Sequence, residues 1–392
     1  MGVTRVILLI LDGIGVGSPP APAPAGVQAP NTLAQLCQAA PTLRLPNLRE
    51  LGLGHVGTFS GVQRTGQPSA CFGKLAPQST RTNGLLGHWE LSGLIWRAPA
   101  DRTPRAFGDH TIKAFQDAIG RSVLGNKPGA DVDMLQEFGE AHLRTGWPIL
   151  YLGSDADCYL AVHERIASGE ELARMARALR KVCKSGQQIL RVVARSFSGD
   201  VGKFVPVPGV REFVVEPPGQ TVLDAVKQGG HPVAGIGRME DLFVGRGLTR
   251  AIPTSDAANT MEETVRALSG VPRGLLAASF NGQFFGSTGE GDPTEAAKQL
   301  EEVDRRLPDL LNALKSGDLL LVTADHGREL GTTGSTTARQ CVPLLAYGPR
   351  LANGVNLGTR KTLADVGQTI ADALGADALP SGDSFLDALR VG

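Results

Sequence analysis

The sequence predicts an α/β protein with a mostly parallel sheet, and three observations carry that prediction. Apolar runs of strand length recur along the chain, several end in Gly or Asp, and helical stretches lie between them. VILLILDG (6–13) is a near-continuous apolar run closed by Asp12 and Gly13, the pattern of a parallel strand buried on both faces. GSPPAPAPAGVQAP (17–30) is rich in Pro and Ala and reads as a surface loop. Asn31 then opens NTLAQLCQAA (31–40) as an N-cap opens a helix. PILYLGSD (148–155), ILRVVARSF (189–197), HPVAGIG (231–237), GLLAASF (274–280) and DLLLVTADHG (318–327) repeat the strand-then-turn pattern. Helices are predicted over 170–183, 260–269 and 293–317. In such sheets ligands bind beyond the carboxyl ends of the strands. Asp12 and the pair Asp325–His326 stand at two such ends, so acidic groups from opposite ends of the chain are expected to converge on one ion.

The 392 residues suffice for two domains. With 39 basic and 39 acidic residues, nothing in the charge balance draws the chain to nucleic acid or an anionic membrane. No apolar run reaches the roughly 18 residues of a membrane span. MGVTRVILLILDG has the Arg and apolar stretch of a signal peptide, but Asp12 interrupts the run and no small-residue cleavage site follows. It reads as a first core strand. The cysteines at 37, 71, 158, 183 and 341 are odd in number and lack CxxC spacing, which fits reduced thiols in a cytoplasmic protein.

Asp12, GHWE (87–90) and ADHG (324–327) together resemble the bacterial phosphopentomutase family of the alkaline phosphatase superfamily. The similarity runs nearly the whole length, through DGIGVG (12–17), TLAQL (32–36), LPNLRELGLG (45–54), GHWELSG (87–93), GNKP (125–128) and YLGSDADCYLAVHE (151–164). It continues in RVVARSF (191–197), EPPGQTVLD (216–224), TADHG (323–327), VPLLAYG (342–348) and LADVGQTIADALG (363–375). The resemblance implies an alkaline-phosphatase-like core from 1–97 and 218–392, with a smaller α/β cap inserted at 98–217. It also implies transfer of a phosphoryl group between C1 and C5 of ribose or deoxyribose, by a phosphorylated Thr and two divalent cations, usually Mn²⁺.

Carried across residue by residue, the resemblance leaves a partial site. The nucleophile-activating ion would be held by Asp12, Asp325 and His326, a donor set suited to Mn²⁺ or Mg²⁺. The second ion's ligands fall on Asn281 or Gly282, on Ser287 and on Thr337 in the loop GSTTARQ (334–340), none of which is a carboxylate or imidazole. That second cation is expected to be absent. The nucleophilic Thr falls on Gly84; only a loop insertion would bring Thr82 into the role. Two phosphate-binding arginines are replaced by Val205 and Val210, with Arg211 displaced by one position. Asp155 remains at a substrate-binding position, and Arg238 stands at another where the family has lysine, so the charge is kept. His88 and Trp89 of GHWE are read as packing and loop-ordering residues, His163 as cap architecture, Cys341 as a buried strand thiol, and GIGVG as a tight turn.

Three functions follow as alternatives. The first is a phosphopentomutase-like pseudoenzyme that binds a ligand or a protein partner without mutase turnover. The second is a one-metal enzyme with altered chemistry on a sugar phosphate or nucleoside-type metabolite, and the third a working mutase using Thr82. The small-molecule ligand implied is a phosphorylated pentose or nucleoside, with no nucleic-acid or membrane partner.

Overall fold

In the computed structural model, residues 2–19, 30–97, 105–153, 157–183, 189–280, 282–285, 291–331 and 334–391 are described. Asp155, Asn281 and Ser287 lie outside them. The chain divides into two compact units, one from 1–97 and 217–392, the other from 98–216. Its strands in chain order are β1 (Arg5–Leu11), β2 (Cys71–Leu75), β3 (Leu124–Pro128), β4 (Ile149–Leu152), β5 (Asp157–His163), β6 (Arg191–Ser198) and β7 (Val205–Val214). They continue with β8 (Val233–Gly237), β9 (Arg250–Ile252), β10 (Gly274–Ser279), β11 (Asp318–Ala324), β12 (Gly327–Gly331), β13 (Gly334–Ala338), β14 (Val342–Tyr347) and β15 (Asn356–Arg360).

The larger unit is built on an eight-stranded sheet in the order β15-β2-β14-β11-β1-β10-β8-β9. Only β14 runs against the rest. β1, β10 and β11 are buried along their whole length, which is why their sequences are continuous apolar runs rather than alternating ones. Helices cover the sheet, among them Ala257–Gly270, Pro293–Ala313 and Ala364–Leu374. Helix starts follow local chemistry. Asn31 accepts from the Ala34 amide, Asp256 from Asn259 and Asp292 from Thr294, each satisfying a donor that the first turn leaves open. The one charged residue in β1 is also accounted for. Arg5 forms a two-pronged ion pair with Asp318 at the start of β11, and donates to the Leu268 and Val271 carbonyls at the end of the helix Ala257–Gly270.

Register is what positions the site. β1 pairs in parallel with β11 so that Leu11 faces Ala324, and with β10 so that Ile10 faces Ser279. The next residue on each strand, Asp12 and Asp325, therefore lies on the same carboxyl rim, next to the turn that follows Phe280. β8 ends at Gly237 opposite Ser279, which brings Arg238 to that rim as well. Just past β11, the hairpin β12–β13 pairs Arg328 with Thr337. The segment 334–340, expected to be a loop, is thus largely a strand.

The smaller unit holds a mixed sheet in the order β3-β4-β5-β6-β7, with parallel pairs alternating with antiparallel ones. The helix Gly169–Val182, capped by Ser168, buries Leu172, Met175, Ala176 and Leu179 in this unit's core. His163 is buried there, its Nε2 at 3.0 Å from the Gly199 carbonyl, and its ring meets Phe197 edge-on. Val205 and Val210 belong to β7, and Arg211 pairs with Glu170. No described helix is long and apolar enough to cross a membrane. All five cysteines are free and buried, Cys341 included.

Candidate metal centre

Asp12, Asp325 and His326 converge as the register requires, with one donor atom of each lying within 4.8 Å of the others. All three side chains are buried. Asp12 does not cap the turn that follows it. Its Oδ2 accepts the Gly282 amide at 2.9 Å, while the Gly13 amide goes to Asp325 Oδ1, also at 2.9 Å. Asp325 Oδ1 further accepts the His326 amide and lies 2.8 Å from His326 Nδ1, close but outside hydrogen-bond alignment. Asp12 Oδ1 and both ring nitrogens of His326 consequently have no hydrogen-bond partner among the described residues.

Buried polar atoms left without partners are costly, and a carboxylate oxygen of Asp12 together with one ring nitrogen of His326, beside the Asp325 carboxylate, fits a divalent cation. Asp12, Asp325 and His326 supply the oxygen and nitrogen donors that Mn²⁺ or Mg²⁺ accepts. Burial raises the Asp12 carboxyl above its ordinary pKa, although the nearby Arg328 guanidinium pulls it down. Asp325 goes the other way. Burial opposes its charge, yet the adjoining imidazoles of His326 and His88 and the Gly13 amide hold its carboxyl below the usual range. A carboxylate that stays ionised when buried is a ready ligand.

A helix from Gly84 to Leu91 supports this pair from one side. Asn83 caps it, accepting the Leu86 amide. Its residues Leu85–Leu91 are all buried, so GHWE is a helix packed into the core rather than a loop. His88 Nδ1 donates to the Gly84 carbonyl at 2.6 Å and lies 3.5 Å from Asp325 Oδ2, while Nε2 accepts from the Ser279 hydroxyl at 2.8 Å. Burial lowers the His88 pKa, so the imidazole is neutral and bridges the helix, β10 and the Asp325 carboxylate. Glu90 has a different task. Its carboxylate gathers the amides of Gln78, Ser79 and Leu363 and the Thr362 hydroxyl, fixing the loop that leads into this helix.

The other positions singled out by sequence divide clearly. Gly84 is the first residue of the helix, and Thr82 lies half-buried two residues before it. Gly282 reaches the site through its backbone alone. Thr337 is half-buried on β13, opposite Arg328. Arg238 pairs with Asp241 at 3.3 Å and acts electrostatically on His88. Two residues of the site were not singled out by sequence, Ser279 and Arg328. Ser279 ends a strand that reads as wholly apolar in purpose. Arg328 had a visible signal, a cation directly after ADHG.

Comparison with known proteins gives this geometry a lineage. The chain is 37% identical over 387 residues to the phosphopentomutase of Caldanaerobacter subterraneus subsp. tengcongensis, covering 99% of this chain and 98% of that one. It is 36% identical to the phosphopentomutase of Alkaliphilus metalliredigens, covering 98% of each. The chain belongs to the phosphopentomutase family. Residues 246–378 also match the Metalloenzyme superfamily, a match that includes Asp325 and His326. A solved phosphoglycerate mutase from Leishmania mexicana superposes on 98% of this chain and 97% of its own at a TM-score of 0.48, with 13% identity. The larger unit is an alkaline-phosphatase-like core, and its family membership implies use of divalent metal.

Proposed function

We propose that this member of the phosphopentomutase family has lost mutase turnover and keeps a cleft for one divalent cation and a phosphorylated pentose or nucleoside. One observation carries the reading. A single imidazole nitrogen of His88 lies 2.6 Å from the Gly84 carbonyl and 3.5 Å from the Asp325 carboxylate, so the residue that opens the helix beside the ion ligands is Gly84, which has no hydroxyl to phosphorylate. Further support comes from the second-ion positions. Gly282 offers only an amide, already given to Asp12, and Thr337 offers a hydroxyl in place of an imidazole. Phosphoryl transfer needs charge stabilised at both the attacking and the leaving oxygen, and one ion serves one of them.

The test supplies purified protein with ribose 1-phosphate, Mn²⁺ and a sugar bisphosphate to prime any threonine, and follows ribose 5-phosphate. The expected result is no product above the protein-free control. Turnover that disappears in Thr82→Ala would overturn the proposal and make Thr82 the nucleophile.

A second reading, a one-metal enzyme with altered chemistry on a related metabolite, has an observation of its own. Asp12 Oδ1 and the ring nitrogens of His326 are buried without hydrogen-bond partners among the described residues, a costly arrangement for a pure scaffold. Hydrolysis of a phosphate or nucleoside ester that requires Mn²⁺ and fails in His326→Ala would favour it.

A further inference from the structure

Arg328 is buried at the metal centre, and its position is built rather than incidental. Its backbone amide donates to Thr32 Oγ1 at 2.8 Å, and the same hydroxyl donates back to its carbonyl, also at 2.8 Å. Gln340 Nε2 donates to that carbonyl as well, at 2.7 Å, and Gln340 Oε1 accepts the Thr32 amide at 3.0 Å. The side chain runs tightly past Gly13, where a Cβ would meet Arg328 Nε at 2.8 Å and Cδ at 2.9 Å. Its guanidinium lies over the Phe285 ring, 5.2 Å from the centroid. Gly13 follows Asp12, and Phe285 ends the described turn whose Gly282 amide binds Asp12. The guanidinium is therefore held between the two segments that flank the ion ligand, and it is the strongest influence favouring ionised Asp12 against burial.

We infer that Arg328 is a fixed cation of this site, holding a phosphoryl oxyanion together with one divalent ion on Asp12, Asp325 and His326. This rests on the one-cation reading above and deepens it. A guanidinium fixed between Gly13 and Phe285, beside a divalent ion on Asp12, adds a positive charge that favours an anion there. Guanidinium also suits the ligand, since its planar fork of N–H donors matches phosphate oxygens two at a time. Arg328 faces Thr337 across the hairpin, on the side where the lost imidazole of the second-ion set would stand. A permanent side-chain charge there disfavours a second metal ion by repulsion and supplies part of its electrostatic effect.

Isothermal titration of the full chain tests this with Mn²⁺ alone, then inorganic phosphate with and without Mn²⁺, and ribose 5-phosphate in parallel. Wild type is expected to bind one Mn²⁺ and then phosphate. Arg328→Met should weaken phosphate about ten- to a hundredfold while Mn²⁺ binding is kept or tightened. Arg328→Lys, which preserves the charge and guards against a variant that does not fold, should fall between them. Tighter binding of ribose 5-phosphate than of inorganic phosphate would identify an ester, and the reverse order free phosphate. Equal phosphate affinity in wild type, Arg328→Lys and Arg328→Met overturns the inference, as does wild type that binds no phosphate in either condition. Two Mn²⁺ per chain in wild type would also overturn it. If wild type takes up no Mn²⁺, the one-cation reading fails separately, and phosphate bound without Mn²⁺ and lost in Arg328→Met would still uphold the guanidinium's role.

Discussion

Gly87 and Asp325 are in backbone contact: a Cβ placed on Gly87 would lie 2.0 Å from the Asp325 carbonyl oxygen. The helix Gly84–Leu91 can sit directly on the end of β11 only because this residue has no side chain, and His88 then reaches the Asp325 carboxylate. Gly87→Ala must push the helix away from the strand. The expected loss is about 1–3 kcal/mol, as for other overpacked sites, together with weaker Mn²⁺ uptake as Asp325 loses its support. Urea unfolding and metal titration check both. A stability change under about 0.5 kcal/mol would mean that the helix and strand are less tightly apposed than this contact requires.

At the opposite end of the same strands, Arg5 and Asp318 tie β1 to β11 through a buried ion pair. The register that brings Asp12 beside Asp325 starts there, with Arg5 facing Asp318. Arg5→Met strands a buried carboxylate and releases the carbonyls of Leu268 and Val271, and is expected to cost about 3–5 kcal/mol. The double variant Arg5→Met, Asp318→Leu removes both charges and should be more stable than Arg5→Met alone. Denaturation of the four proteins of this cycle decides the point. A double variant as unstable as the sum of the single ones would show that the pair is not coupled.

Sequence made the centre of the sheet legible and its margins much less so. β1, β10 and β11 announce themselves because burial on both faces leaves no polar alternation, and each ends at the residue that matters. β15 lacks that signature. Its NLGTR is half-exposed at the sheet edge and resembles a turn. The helix Gly84–Leu91 is buried on every side, so it shows no amphipathic period, and its two glycines suggest a loop. The hairpin β12–β13 is hidden by Gly, Ser and Thr. The convergence of Asp12 with Asp325–His326 was readable because these residues close strands. Arg328 and Thr337 were not readable as neighbours, since their pairing exists only in the hairpin register.

Ser279 carries a prediction of its own. Its hydroxyl is the 2.8 Å partner of His88 Nε2 in a buried setting, and Ser279→Ala leaves that nitrogen unsatisfied. The loss is expected at about 1–3 kcal/mol, larger than the deletion of one solvent-exposed hydroxyl would give. Because His88 stays neutral and hydrogen-bonded to Gly84, the fold should survive while Mn²⁺ affinity falls. Thermal melts with and without Mn²⁺ separate these effects. A variant with unchanged stability would remove Ser279 from the support of the site.

Asp12 should make metal-free stability depend on pH in a specific direction. Burial raises its carboxyl above the ordinary value, with Arg328 opposing, so the folded chain holds this proton more tightly than the unfolded one. Its destabilising effect is therefore absent below the usual carboxylate range, and appears as pH rises from there through the raised value. Asp12→Asn, which cannot ionise, should match wild type in acid and exceed it at neutral pH when no metal is present. Saturating Mn²⁺ should reverse the order. An ion at about a hundred times its dissociation constant stabilises wild type by about 2.7 kcal/mol, whereas Asp12→Asn lacks the oxygen charge that holds it. Melting curves across pH, with EDTA and with Mn²⁺, read all four conditions. If Asp12→Asn is less stable than wild type in EDTA at neutral pH, the carboxylate is held by protein contacts and not kept for an ion.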